Sequence, residues 1–314
     1  MQIALDSGMI SLPGVRQSHL DATPTGGGLG LVLSIFLVSL CLELIVSLPF
    51  FWWKNVLPGV MLLTIVGWRD DKNPVSPLLR LLIQLAVSLW LIGFGWWDDS
   101  WWDQVFWICA IVAVIWLMNL YNFMDGSNGM AGFQGVFAGM TMALLFQLGG
   151  ESSMALAALV VAAACAGFLP LNFPRARVFM GDASSVPLGF IFAAFAIYGI
   201  QTGSLSLPLS ILIMSLFLVD STLTLLARAF RGERWYTPHA QHVYQRLIGN
   251  GWSHRRVLVL YQIINVVLIL PAIALAKMYP QYALVTAALV LSLLGACWYM
   301  ANWRLGLTTG VEGK

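Results

Sequence analysis

Carboxylates at recurrent, tightly spaced positions give this sequence its chemistry. Asp70 and Asp71 stand side by side in Trp68-Arg69-Asp70-Asp71-Lys72. Adjacent carboxylates repel, so the pair asks for a metal, a basic neighbour or a raised pKa. The plain alternative is a solvated loop balanced by Arg69 and Lys72. In Asn119-Leu120-Tyr121-Asn122-Phe123-Met124-Asp125-Gly126-Ser127-Asn128-Gly129, Asn119 and Asn122 are three apart and share one face of a helix end. Asp125 continues that face where the helix persists. Gly126 and Gly129 allow a tight turn and close approach to a ligand or phosphate. A calcium loop of the EF-hand type is unsuited, because its twelfth position is Val136 rather than Glu.

Asp182 lies in Phe179-Met180-Gly181-Asp182-Ala183-Ser184-Ser185-Val186-Pro187, preceded by Asn172, Arg175 and Arg177. Ser184 or Ser185 is expected to cap the next helix, with Pro187 in its first turn. An acidic residue ahead of a helix can hold a cation that bridges phosphates, and simple capping is the alternative. His239 and His242 lie in a loop with Arg228, Arg231, Arg234 and Arg246, which attracts anions. Zinc would need four ligands; His254 offers a third, but no Cys or Glu of suitable spacing accompanies the histidines. Asp220 falls inside an apolar run, where carboxylates usually face the protein interior and mark function.

The elements that must position these residues are membrane helices. Of 314 residues, 59% are hydrophobic and 10% charged, against about a quarter charged in soluble domains. Apolar stretches at 27–49, 51–68, 77–96, 102–121, 129–149, 153–171, 185–201, 205–227, 256–277 and 280–301 read as about ten transmembrane helices. The fold class is all-α, a polytopic bundle forming one domain over 1–314. Of sixteen Lys and Arg, only Lys54 and Lys277 fall in or beside the loops of one side. The opposite side, which carries every motif above, is therefore expected to be cytoplasmic. Asp98-Asp99, flanked by paired tryptophans, falls on the far side and reads as part of an aromatic belt. A net charge of +2 and the lack of a basic run argue against nucleic acid. A secondary transporter is the alternative class, although transporters place polar groups near the midplane.

The chain resembles the bacterial polyprenyl-phosphate N-acetylhexosamine-1-phosphate transferases. The likeness rests on Thr23-Pro24-Thr25-Gly26-Gly27-Gly28, Asp70-Asp71, Asn119-x-x-Asn122-x-x-Asp125-Gly126, Arg177 to Asp182, Asp220-Ser221-Thr222-Leu223 and His239 to Arg246, in that order. The resemblance implies transfer of a sugar-1-phosphate from a UDP-N-acetylsugar, of the UDP-GlcNAc or UDP-FucNAc type, to undecaprenyl phosphate. UMP leaves, and Mg²⁺ is required, with Mn²⁺ as a substitute. Asp182 would be the chief Mg²⁺ ligand, with Asp70 and Asp71 as further ligands that bind or deprotonate the lipid phosphate. Asn119, Asn122 and Asp125 would hold diphosphate and nucleotide. His239 and His242 would contact phosphate or substrate, and Asn172, Arg175, Arg177, Asp220 and Arg246 would complete substrate binding. His239–Arg246 looks more like the O-antigen-initiating branch than the peptidoglycan branch. The resemblance further implies a bacterial inner-membrane location with a cytoplasm-facing site, allows a homodimer, and expects one more span ahead of the first motif. Direct attack by the lipid phosphate and a covalent aspartyl intermediate both remain open.

Overall fold

A computed structural model describes residues 10–11, 23–93, 101–234, 237 and 239–305. Asp98 and Asp99 lie outside the described residues, as do Arg16 and Lys314. Apart from one two-residue pairing, of β1 (Ile10–Ser11) with β2 (Thr23–Pro24), the regular elements are helices. They are α1 (Gly28–Glu43), α2 (Leu57–Lys72), α3 (Pro77–Gly93), α4 (Trp101–Phe123), α5 (Met130–Leu148) and α6 (Ser152–Asn172). There follow α7 (Asp182–Thr202), α8 (Leu207–Phe230), α9 (Val243–Gly249), α10 (His254–Ile264), α11 (Leu270–Met278) and α12 (Ala283–Arg304).

Each apolar stretch read from the sequence contains a helix, although the helix of 27–49 stops at Glu43 and leaves 44–49 as turn and coil. Among the described residues, seven helices are long and apolar enough to cross a membrane. Two further apolar helices are shorter, α1 with 16 residues and α3 with 17. One long span, His254–Met278, is built from α10, a π turn at Asn265–Ile269 and α11. A second π turn, Trp52–Val56, opens α2. Each π turn precedes a proline, Pro271 or Pro58, whose ring would clash with the carbonyl four residues back; widening the turn relieves this.

The chain divides into two compact units: the described residues of 1–12, 22–125 and 129–206, and those of 126–128 and 207–314. No linker in the sequence announces this division. In the first unit α7 is the central helix, with 83% of its apolar window buried. Lipid is as apolar as a leucine side chain, so membrane helices associate through small residues that permit close approach. Gly59 of α2 faces Phe190, and Gly189 of α7 lies against the backbone of Leu117 and Met118 in α4. Gly67 touches the backbone of Asp182 and Ala183. In the second unit α12 packs on α8, where Trp298 Nε1 donates to Thr224 Oγ1 at 3.2 Å.

The start of α7 differs from expectation. Neither Ser184 nor Ser185 caps it; the helix begins at Asp182, and both hydroxyls bond back to the carbonyls of Met180 and Gly181. The cap comes from another helix. Asp71 Oδ1 accepts the N–H of Asp182 at 3.1 Å, and Oδ2 accepts that of Ala183 at 3.3 Å. An added methyl at Gly67 would collide with this helix start. Gly67→Ala is expected to cost about 1–3 kcal/mol, the usual penalty of overpacking, read as a lower melting temperature in detergent.

Candidate active site

The first unit gathers the carboxylates at the start of α7. Asp70 and Asp71 close α2, Asp125 follows α4, and Asp182 opens α7. The 24–28 segment holds the loop before Asp182 in place. Phe179 N–H donates to the Pro24 carbonyl at 2.9 Å, and the N–H groups of Gly27 and Gly28 donate to the carbonyls of Phe179 and Met180, each at 3.1 Å. A side chain at Gly27 would strike Val178, and one at Gly28 would strike Ser184. Gly181 has φ +71°, and a Cβ there would press on the Asp71 carboxylate. These glycines are thus demanded by close approach of the chain.

Among the described residues, one cation pairs with the cluster. Arg80 Nη1 lies 2.8 Å from Asp70 Oδ2 and 3.3 Å from Asp182 Oδ2. Asp70 Oδ1 also accepts the Val75 N–H, at 2.6 Å. Lys72, a candidate to balance the aspartates, instead sits over the Trp68 ring, 3.9 Å from its centroid. Burial pushes the Asp125 carboxyl well above the usual carboxylate range. The charges of Asp182 and Asp71 push it the same way, and an N–H bond from Gly181 opposes them. A small cleft borders Arg80, Gln84 and Asp182, with apolar walls from Leu63, Val66, Ile83 and Val186.

The amides serve different ends. Asn119 Nδ2 donates to Gln84 Oε1 at 2.8 Å and to the Ile115 carbonyl at 2.7 Å, tying α3 to α4. Asn172 is buried; it accepts the Gly129 N–H at 2.7 Å and donates to the Val178 carbonyl at 3.0 Å. It therefore braces the loop rather than presenting its amide. Asn122 is half-buried and makes no side-chain hydrogen bond among the described residues. Arg175 and Arg177 are exposed and form no ion pair there.

The second unit holds the remaining residues. Asp220 is buried in α8 and acts as an internal anchor. It accepts from Val243 N at 2.9 Å, Tyr261 Oη at 2.8 Å and Thr224 Oγ1 at 3.4 Å, with His242 Nδ1 4.0 Å away. The His239 and His242 rings lie 4.8 Å apart, and His242 stacks on Tyr244. Arg246 Nε donates to the Gln241 carbonyl at 3.1 Å. Glu233 binds Arg228, Arg231 and Gln241, fixing the loop. Burial lowers His239 to about 3, helped by the charges of His242 and Arg228, and lowers His242 to about 4. Both rings are neutral at pH 7.

Sequence reasoning assigned no role to Arg80 or Gln84. A signal existed: they are the lone cation and lone amide, four residues apart, in the apolar run Pro77–Leu85. The bond of Gly27 and Gly28 to the Asp182 loop had none, because it depends on pairing residues some 150 positions apart in the chain.

Fold and site define a polytopic helical membrane protein with a carboxylate-lined site. A profile of the family described as Glycosyl transferase family 4 matches residues 53–200. The chain is 27% identical over 275 residues to a probable undecaprenyl-phosphate N-acetylglucosaminyl 1-phosphate transferase of Bacillus subtilis (strain 168), covering 83% of this chain and 76% of that protein. It is 24% identical over 327 residues to the undecaprenyl-phosphate alpha-N-acetylglucosaminyl 1-phosphate transferase of Yersinia pestis, covering 97% and 87%. A phospho-N-acetylmuramoyl-pentapeptide-transferase of Synechococcus sp. (strain JA-3-3Ab) is 30% identical over 220 residues, covering 62% and 61%. The chain is thus similar, over most of its length, to transferases that act on polyprenyl phosphates.

The lowered histidines have a consequence for stability. An unfolded histidine titrates near 6.5, so on acidification below that value the unfolded chain takes up protons that the folded chain refuses. Stability is complete above about pH 6.5 and falls as pH drops towards the folded values. Between about pH 7 and about pH 5 the wild type is expected to lose more of its melting temperature than His242→Gln, which has no ring to titrate. Thermal scans of both proteins across that range provide the check.

Proposed function

We propose that this protein transfers an N-acetylhexosamine-1-phosphate from a UDP-sugar to undecaprenyl phosphate, releasing UMP and starting a lipid-linked glycan such as O-antigen. The observation that carries this reading is the crowding of Asp70, Asp71, Asp125 and Asp182 around one arginine at the start of α7. Such an excess of carboxylate over cation suits a hard divalent ion and a phosphorylated substrate. The match to the family profile and the names of the relatives support the polyprenyl-phosphate acceptor and the N-acetylglucosamine-1-phosphate group.

The donor set fits Mg²⁺. No three ligating side chains converge on one point among the described residues. Mg²⁺ typically takes one or two carboxylates, keeps several waters and completes its shell with substrate phosphates. Asp182 would hold it, with Asp70 and Asp125 beside it, while Asp71 spends both oxygens on the α7 backbone. When bound, the ion would neutralise charge developing on the diphosphate. Mn²⁺ would substitute.

In the reaction an oxygen of the lipid phosphate attacks the β-phosphorus of the UDP-sugar. A new P–O bond forms, the bond from that phosphorus to the bridging oxygen breaks, and UMP departs with the bridging oxygen. The direct route is favoured over a covalent aspartate, since Asp71 is committed to α7 and Asp70 is held by Val75 and Arg80. Asn122 has an uncommitted amide for the nucleotide or diphosphate. Arg175, Arg177, His239, His242 and Arg246 supply positive charge and neutral donors. The site is proposed to face the cytoplasm from the bacterial inner membrane.

The test uses purified protein in detergent with undecaprenyl phosphate and a panel of UDP-N-acetylsugars. Mg²⁺-dependent UMP release is expected with at least one sugar; no release from any of them by folded protein would refute the transfer. Asp182→Asn is expected to lower release by about a thousandfold or more, as loss of a charge-stabilising group does, with the melting temperature retained. UMP exchange in the absence of lipid would instead favour the covalent route. Burial and the neighbouring carboxylates raise the Asp125 carboxyl, so Mg²⁺ binding is expected to release protons. Titration calorimetry in buffers of different ionisation enthalpy should register them, with Asp125→Asn removing the buffer dependence.

A further inference from the structure

The 126–128 turn belongs to the second unit and is gripped by two of its helices. On one side Tyr244 of α9, fully buried, lies so close to Gly126 that any side chain there would collide with its hydroxyl. On the other side His254, the first residue of α10, places Nδ1 2.9 Å from Ser127 Oγ and 3.4 Å from the Asn128 N–H. Ser127 is itself buried. The ring is fixed at its base, because Ser253 caps α10 by accepting the Arg256 N–H at 3.3 Å.

We infer that His254 is a positioning residue, whose Nδ1 sets the conformation of the Gly126–Asn128 turn. A backbone N–H can only donate, so the bond from Asn128 requires a lone pair on Nδ1 and places the ring proton on Nε2. Ser127 then donates to the same nitrogen. His254 thus acts as an acceptor, not as a metal ligand or an acid. The Asn side-chain oxygen is the nearest replacement for Nδ1 in position and in accepting character; Leu fills space and accepts nothing. The catalytic consequence rests on the transferase reading, in which Asp125, next to this turn in the chain, serves the substrate; the ordering of the turn does not.

Two measurements separate these levels. In hydrogen exchange, the Asn128 amide of His254→Leu should exchange about tenfold faster than wild type, and His254→Asn should restore protection. In steady-state assays, His254→Leu should raise KM for the UDP-sugar about tenfold, with KM for undecaprenyl phosphate unchanged and melting temperature retained. His254→Asn should return it to near the wild-type value. Wild-type exchange and KM in His254→Leu would overturn the inference. So would an Asn variant as impaired as the Leu variant at equal melting temperature. Should His254→Leu fail to fold, Ser127→Ala removes one of the two contacts; faster exchange at 127–128 is expected, and unchanged exchange would overturn the idea. A wild type that releases no UMP would refute the transferase reading, while the exchange result would still decide the positioning role.

Discussion

The bidentate grip of Asp71 on the first two N–H groups of α7 is the contact on which the first unit depends. It ends α2 and begins α7 in one stroke, satisfying donors that a helix start leaves unpaired. The negative charge meets the positive end of the α7 dipole, where an anion is favoured. Gly67 and Gly181 leave the room this contact needs, since a Cβ at either position would intrude on it. The contact fixes the direction in which Asp182 leaves the backbone and brings the two ends of the carboxylate cluster together.

Crowding is the cost of that arrangement and also its use. Carboxylates at close range raise one another's pKa, and burial adds to the effect. Arg80 relieves part of it by bridging Asp70 and Asp182. A site built this way is short of positive charge in itself. In the transfer proposed above, helix ends would supply the positioning and a bound cation the missing positive charge.

The second unit uses the same economy differently. Asp220 is buried, yet it is surrounded by donors from three places in the chain: Thr224 on its own helix, the Val243 N–H at the start of α9, and Tyr261 on α10. A buried carboxylate so provided with hydrogen bonds is a structural hub. Its role is to seat α9, and with it His242 and Tyr244. The histidines that look catalytic in the sequence are thereby held neutral, suited to hydrogen bonding rather than to carrying charge.

Much of this was legible from the residues alone. Membrane helices announce themselves, because an apolar run of that length has no stable place in water, and each apolar stretch proved to hold a helix. The motifs named the aspartates that the first unit brings together: Asp70, Asp71, Asp125 and Asp182. What stayed hidden was which residue holds which. Asp71, beside Asp70 in the chain, proved to be a helix cap rather than its twin. Asn172 turned out to brace a loop, Asp220 to anchor a helix, and Arg80 to supply the balancing charge that Arg69 and Lys72 seemed placed to give. The reason is physical. Hydropathy and residue type act locally and survive in any reading of the chain, so they determine spans and the kind of chemistry. Hydrogen bonds between helix ends join residues more than a hundred positions apart, and only tertiary packing decides which carboxylate spends its charge on the fold and which keeps it for a ligand.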